Sequence, residues 1–560
     1  MESARLVFVV IFCVSLFMLG EKWVEQYGPK PAAQKTAQMD APIDAIPTPT
    51  AAAGADTPKT AAAAPASSVP SGGETPATPG GKEELIKVET PLVRAEISTI
   101  GGELRKLELL QQRDTLDAGK NFFLLDRTEK RTYLGQTGLL GAGMPTHKSP
   151  FALVAPPAVS SDPNGAIIVE LIAQDAPAGV EVRKTLRFHP DQYVVDVSYE
   201  IKGLQSKAAP NAYFQLTRDD TPPDGDSRWV PTFNGIAVYT EKEKYQKVAF
   251  SDVAKGKPGH VTQSADGWIG MVQHYFVSAW LPGGAVPREF YTRSLGNGLF
   301  SAGVIVPTEA AGEGHWKISV PLYAGPQEQT KLAALAPGLE YAVDYGWLTV
   351  IATPLFWALS SIYKWGIQNW GVAIIVLTII LKLIFFPLSA ASYKSMAKMR
   401  VMAPKLQKLK EQFGDDRQKL HQAMMELYKT EKINPLGGCL PIVVQIPVFI
   451  ALYWVLLGTV EMRHAPFALW IKDLSAPDPF YVLPVLMGIS MIIQTRLNPE
   501  PPDPIQAKVM KIMPIAFSVF FFFFPAGLVL YWLVNNILSI SQQWYITRKL
   551  EQGAVAAKKR

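Results

Sequence analysis

Apolar residues gather in a few continuous runs, and most of these lie in the last two fifths of the chain. Residues 370–388, WGVAIIVLTIILKLIFFPL, come close to the ~20 apolar residues that a helix needs to cross a bilayer. Further runs occupy 440–460 and 480–494, and residues 512–547 carry no charge. As one helix that last stretch would reach ~54 Å against a hydrocarbon core of ~30 Å. Pro525-Ala526-Gly527 is therefore read as a tight hairpin between two spans, which makes five spans within residues 370–550. Residues 346–363 are uncharged but broken by Pro354, with Trp347, Ile351, Leu355, Leu359 and Ile362 at helical spacing. This predicts an interfacial amphipathic helix within residues 341–369 rather than a further span. Near the start, residues 6–20 form another apolar run behind Arg5 with no A-x-A cleavage site after it, so residues 1–27 are expected to be an uncleaved anchor.

Between these membrane segments the periodicity changes. Residues 28–82 are rich in Pro, Ala, Thr and Ser without apolar periodicity, which predicts a disordered linker. From residue 83 to about 340 the chain turns to short alternating runs. Tyr193, Val195, Val197, Tyr199 and Ile201 alternate with Val194, Asp196, Ser198 and Glu200, as a half-buried strand requires. Similar runs begin at Leu85, Val93, Ala166, Val180, Trp268 and His315, separated by turns such as Pro163-Asn164-Gly165 and Gly296-Asn297-Gly298. A large antiparallel sandwich is expected. Trp229, Trp268 and Trp280 suit either its core or a sugar- or peptide-binding groove, with the core the commoner place for an aromatic residue in such a domain.

The distribution of charge sets the orientation. Residues 392–434 hold ten basic side chains, among them Lys394, Lys398, Arg400, Lys405 and Lys408, whereas residues 461–479 hold only Arg463 and Lys472. The first loop is therefore cytoplasmic, and so is the basic tail at 551–560. Counting back through five spans leaves the β domain outside and the N-terminus inside. Helical periodicity at 396–412 and 416–429, on either side of Gly414-Asp415-Asp416, predicts a helical hairpin within 390–434. Its basic surface suits lipid headgroups, ribosomal RNA or a substrate chain, and ordinary positive-inside topology accounts for the same charges. The net charge of +5 over 560 residues gives no field for DNA.

Chemistry enters with Lys382, the one ionisable residue in its span. Such a residue either snorkels its head to the nearer interface or faces a water-filled cavity. Thr378 and Ser389 share its helical face and favour the cavity. A second polar stripe on the last span carries Trp532, Asn535, Asn536, Ser539 and Gln542 or Gln543, while Gln445 and Gln494 add amides elsewhere. Such amides also serve as glue between membrane helices. The seven histidines have no metal-type spacing, Cys13 and Cys439 read as free thiols, and no Walker A motif occurs. Neither a metal, a cofactor nor a catalytic residue is expected. A Ser/Lys hydrolase using Ser389 and Lys382 would have its two groups about 10 Å apart along one helix, and a transporter would be expected to show inverted repeats, which are not seen.

Several stretches resemble a known family. SYKSMAKMR at 392–400, NPLGGCLP at 434–441, QIPVFIALYW at 445–454, APFALWIKDLSAPDPFYVLP at 465–484 and FPAGLVLYWLVNN at 524–536 are similar to the YidC membrane protein insertases of Gram-negative bacteria. The resemblance implies an α-helical polytopic protein of the bacterial inner membrane: one N-terminal anchor, a five-helix core and a periplasmic all-β supersandwich. It implies a hydrophilic groove, open to the cytoplasm and to lipid, that accepts nascent membrane proteins alone or with the Sec translocon. The family's groove arginine falls on Lys382, which keeps the charge but loses the bidentate fork. Its groove threonine matches Thr378 and its groove tyrosine Trp532.

Overall fold

The computed structural model describes residues 83–558, apart from 116, 118, 130, 161–164, 207, 223–232, 414–415, 431–439 and 499–503. The anchor at 1–27, the linker at 28–82, Trp229, Cys13 and Cys439 lie outside the described residues, as do the hairpin's tip and its last few residues. The described chain divides into two compact units, with the boundary between Ala342 and Val343.

The first unit is a two-sheet antiparallel sandwich. Strands begin at or within one residue of each of the six starts read from the sequence, including Leu85–Glu89, Trp268–Gln273 and His315–Pro326. A nine-stranded sheet has Thr132–Leu140, Asn211–Asp219, Leu299–Pro307 and Arg288–Gly296 as successive neighbours, and it faces a sheet of eleven strands. Phe214 of the first sheet meets Trp280 of the second at 5.2 Å between ring centres, and Phe122 stacks on Phe276 at 4.1 Å. Trp268 and Trp280 are both core residues, and the Trp268 indole donates to the Pro337 carbonyl at 3.0 Å. Burial on both faces hides the alternation of the central strands. One of those faces carries a chain of buried amides: Gln136 donates to Glu103 at 2.6 Å and accepts from Gln215 at 2.9 Å, and Gln215 accepts from the Tyr291 hydroxyl at 2.9 Å. Fully buried Lys184 donates to the carbonyls of Gly101 and Gly102, both at 2.8 Å. Loss of hydration pushes its ammonium down to about 7, and the same cause raises the Glu103 carboxyl.

The second unit is helical. Its elements are α1 (Thr349–Ile362), α2 (Trp370–Ile384), α3 (Phe386–Phe413), α4 (Arg417–Thr430), α5 (Leu440–Gly458), α6 (Val482–Leu497), α7 (Pro504–Phe520) and α8 (Ala526–Lys558). Ala352, Leu355, Phe356 and Leu359 of α1 pack into a core shared with α2, α5, α6 and α8, while Val350 and Trp357 stay largely exposed. A π-type turn follows, with Gly366 at φ 104° and Gln368 at φ 46°, and α2 leaves at 120° to α1. Tyr363 and Trp370 stack at 4.2 Å across this corner. Among the described residues no single helix is long and apolar enough to cross a membrane, but the bent pair α1–α2 passes that test together. The first hairpin helix starts ten residues before the expected Met396. It follows α2 after the single residue Phe385, because Pro387 has no N–H with which to continue the α2 ladder.

Candidate functional site

Helix α2 is started by Asn369, whose side-chain oxygen accepts the Val372 N–H at 3.0 Å. From that cap the helix turns Gly371, Ile374, Thr378 and Lys382 inward. Gly371 is required there, since a Cβ would sit 2.1 Å from the Phe467 ring. Phe467 belongs to the loop at 463–481, which fastens three helix ends at once. Its carbonyl accepts the Asn369 amide at 2.8 Å, while Ala476 and Leu474 accept the first N–H groups of α8 from Ala526 and Gly527. Asp478, 1% exposed, accepts from the Trp470 indole and from the Phe480 and Leu483 amides, and so caps α6.

These constraints bring Lys382 opposite Ser539 of α8. The ammonium is 5% exposed and donates to the Ser539 hydroxyl at 2.7 Å, and that hydroxyl donates its own proton to the Asn535 carbonyl at 2.7 Å. A snorkelled lysine would carry its head out to solvent, whereas this one reaches across to another helix. Beside it opens a cavity of about 550 Å³. Lys382 and Ser539 line it with Gln445 of α5 and Trp532, Asn535 and Asn536 of α8. The Trp532 ring is held by Phe449 at 4.5 Å and Phe521 at 4.9 Å between ring centres, and among the described residues its buried indole N–H has no hydrogen-bond partner. Ionisable, amide and aromatic groups thus share one recess in an otherwise apolar bundle.

Not every polar residue singled out in the sequence opens onto this cavity. Thr378 donates to the Ile374 carbonyl at 2.6 Å and faces an adjoining void of about 10 Å³, at the lower limit for one water. Asn536 and Gln543 line the cavity but commit their amides elsewhere, Asn536 to Ser490 of α6 at 3.2 Å and Gln543 to Leu497 and Asn498 at the end of α6. These two amides hold α8 against α6. Lys394, Lys405 and Lys408 of α3 are exposed, whereas Met402 and Leu406 of the same helix are buried. Lys398 and Arg400 lie on the same helix, and their side chains are outside the described residues.

Ser392, Tyr393 and Met396 of α3 and Asn498 after α6 also line the cavity, and the sequence reading missed them. A signal was present: Ser392 and Tyr393 lie three and four residues after Ser389, Met396 lies four and three after them, and together they extend the Lys382 face. Reading residues from 392 onward as a separate hairpin hid it.

Two family models match the chain. One, described as the 60Kd inner membrane protein, covers residues 361–553, and the other, the YidC periplasmic domain, covers 85–358. The membrane protein insertase YidC of Methylobacillus flagellatus is 56% identical over 100% of this chain and 99% of its own. The corresponding protein of Dechloromonas aromatica is 53% identical over 100% of this chain and 99% of its own. A crystal structure titled as an active YidC insertase with the first transmembrane domain resolved covers 83% of this chain and 93% of its own, at 18% identity and a TM-score of 0.39.

Proposed function

The chain belongs to the YidC membrane protein insertase family, and from that premise we propose that the cavity beside Lys382 is the place where it receives a client. Insertion of membrane proteins into the bacterial inner membrane is its function, and the β-sandwich is its periplasmic domain. The observation that carries the proposal is the buried Lys382 ammonium, tied to Ser539 at the wall of a 550 Å³ cavity. In this reading α2, α5, α6, α7 and α8 are the five spans, α1 lies in the periplasmic interface, and α3 with α4 forms a cytoplasmic hairpin that meets clients first. Both termini face the cytoplasm. Lipid headgroups, the ribosome and the Sec translocon are partners consistent with that placement.

The physical basis is a lowered barrier. A short polar tail crossing lipid must leave water, at a cost of several kcal/mol for each unpaired polar group. A recess with a cation, amides and room for water supplies partners at mid-depth. In a medium less polar than water a carboxylate and an ammonium attract far more strongly than in solution, so an acidic residue in the tail is drawn inward. The client's apolar segment then moves into lipid, and its burial at ~0.8 kcal/mol per CH₂ drives the process. Lys382→Arg should retain insertion, and Lys382→Glu should impair clients with acidic tails; equal insertion by all three proteins would remove the electrostatic role.

The 2.7 Å pairing of Lys382 with Ser539 also has the spacing of a Ser–Lys hydrolase dyad. In such a dyad the lysine takes the serine proton. Here that proton goes to the Asn535 carbonyl and the lysine donates, so the serine is oriented as an acceptor rather than activated as a nucleophile.

A further inference from the structure

We propose that Ser539 is a positioning residue for Lys382, fixing the ammonium on the cavity wall where a client carboxylate meets it. This deepens the reading of the cavity as the client's route and rests on it. Lysine is a flexible four-carbon stem with a point charge, and nothing in its own geometry aims it. Lys382 stands two residues before the end of α2 at Ile384, so an unrestrained head can run along the helix toward the nearer interface.

Ser539 prevents that by the direction of its one proton. Donation to the Asn535 carbonyl at 2.7 Å turns the oxygen lone pairs toward the ammonium, which donates at 2.7 Å. Among the described residues Ser539 is the one hydrogen-bond partner of the Lys382 head, leaving further N–H groups of the ammonium for the cavity. Thr378, one turn away, has likewise given its proton to its own helix at Ile374. Ser539 therefore meets the charge as an acceptor, and the ammonium is the donor offered to an incoming acidic group. Tyr393 of α3 lines the cavity together with Lys382 and Ser539.

The test uses the full-length protein as the cell's only copy, at matched membrane abundance, with two clients that differ by one acidic residue in the translocated tail. Ser539→Ala is expected to lower insertion of the acidic-tail client on the order of tenfold, the scale of one hydrogen bond to a charged group, and to spare the neutral-tail client. Ser539→Thr, which keeps the hydroxyl, should restore most of it. Lys382→Met should give the same client-selective loss, and Ser539→Ala combined with it should add nothing, because the serine acts through the lysine. Selective loss from Lys382→Met with none from Ser539→Ala overturns the positioning role and leaves the cavity reading standing. No loss from Lys382→Met overturns both. Equal losses for the two clients, or losses that multiply in the double variant, show a merely structural serine and also overturn the proposal.

Discussion

Replacing Asp478 by alanine should loosen the start of α6 and the loop around it, and the structure sets the size of the effect. The carboxylate accepts the Leu483 N–H at 2.8 Å, the Trp470 indole at 2.9 Å and the Phe480 N–H at 3.0 Å. The first bond is buried, so its donor loses its partner with no water to replace it, at roughly 1–3 kcal/mol. The other two are partly accessible, and water should recover about half of each. Removing a buried carboxylate also relieves its own desolvation, which offsets part of the loss. The net expectation is a destabilisation of about 2–4 kcal/mol. At ~2–4 °C per kcal/mol this is a fall in melting temperature of about 4–16 °C. Asp478→Asn keeps one acceptor oxygen and should fall by about a third of that. Thermal unfolding of the purified protein in detergent, followed by tryptophan fluorescence, is the assay. A shift below about 2 °C for Asp478→Ala would refute the view that this carboxylate fastens α6 and the loop around it.

Three further expectations concern other parts of the chain. Gly371→Ala puts a methyl 2.1 Å from the Phe467 ring and should cost about 1–3 kcal/mol in the same unfolding assay, with Phe467→Ala restoring part of it in the double variant. Asn536→Ala and Ser490→Ala should each lower stability by about 0.6–1.7 kcal/mol and together by little more than either alone, since both remove the same interhelical bond. Burial holds Lys184 at about 7 in the folded sandwich, so between about pH 7 and its ordinary 10.5 the unfolded chain binds a proton that the folded one has released. Stability of the β domain, read by limited proteolysis of the full-length protein, should therefore rise from pH 7 to 9, and Lys184→Met should abolish that rise.

Much of the architecture was legible because it rests on periodicity. The strand around Val195 announces itself by alternation, and the uncharged stretch at 512–547 is too long for one span, which forces the break before Ala526. Lys382 was legible for the opposite reason, as a charge where none belongs. The partners of each polar side chain were less legible. Asn535, Asn536 and Ser539 lie within five residues of each other, yet Asn536 turns to α6 while Ser539 turns to Lys382. Such directions depend on helix rotation, which packing with distant segments determines. From the sequence, residues 461–479 read only as a weakly basic connection between two spans. Its capping role depends on Asp478 and on contacts to Asn369 and Ala526, far away in sequence. The join of α2 to α3 was missed because charge density was taken as the start of a separate hairpin, although a helix passes through that change without a long break.

The central claim, that a client occupies the cavity beside Lys382, is tested most directly by photocrosslinking from inside it. A photoreactive amino acid at Gln445 or Trp532, both on the cavity wall, is compared with one at Ile515 on the exposed face of α7, using ribosome-stalled clients of increasing length in membranes. The account predicts strong, length-dependent adducts from 445 and 532 and weak ones from 515. Equal adducts from all three positions, or adducts from 515 alone, would contradict it.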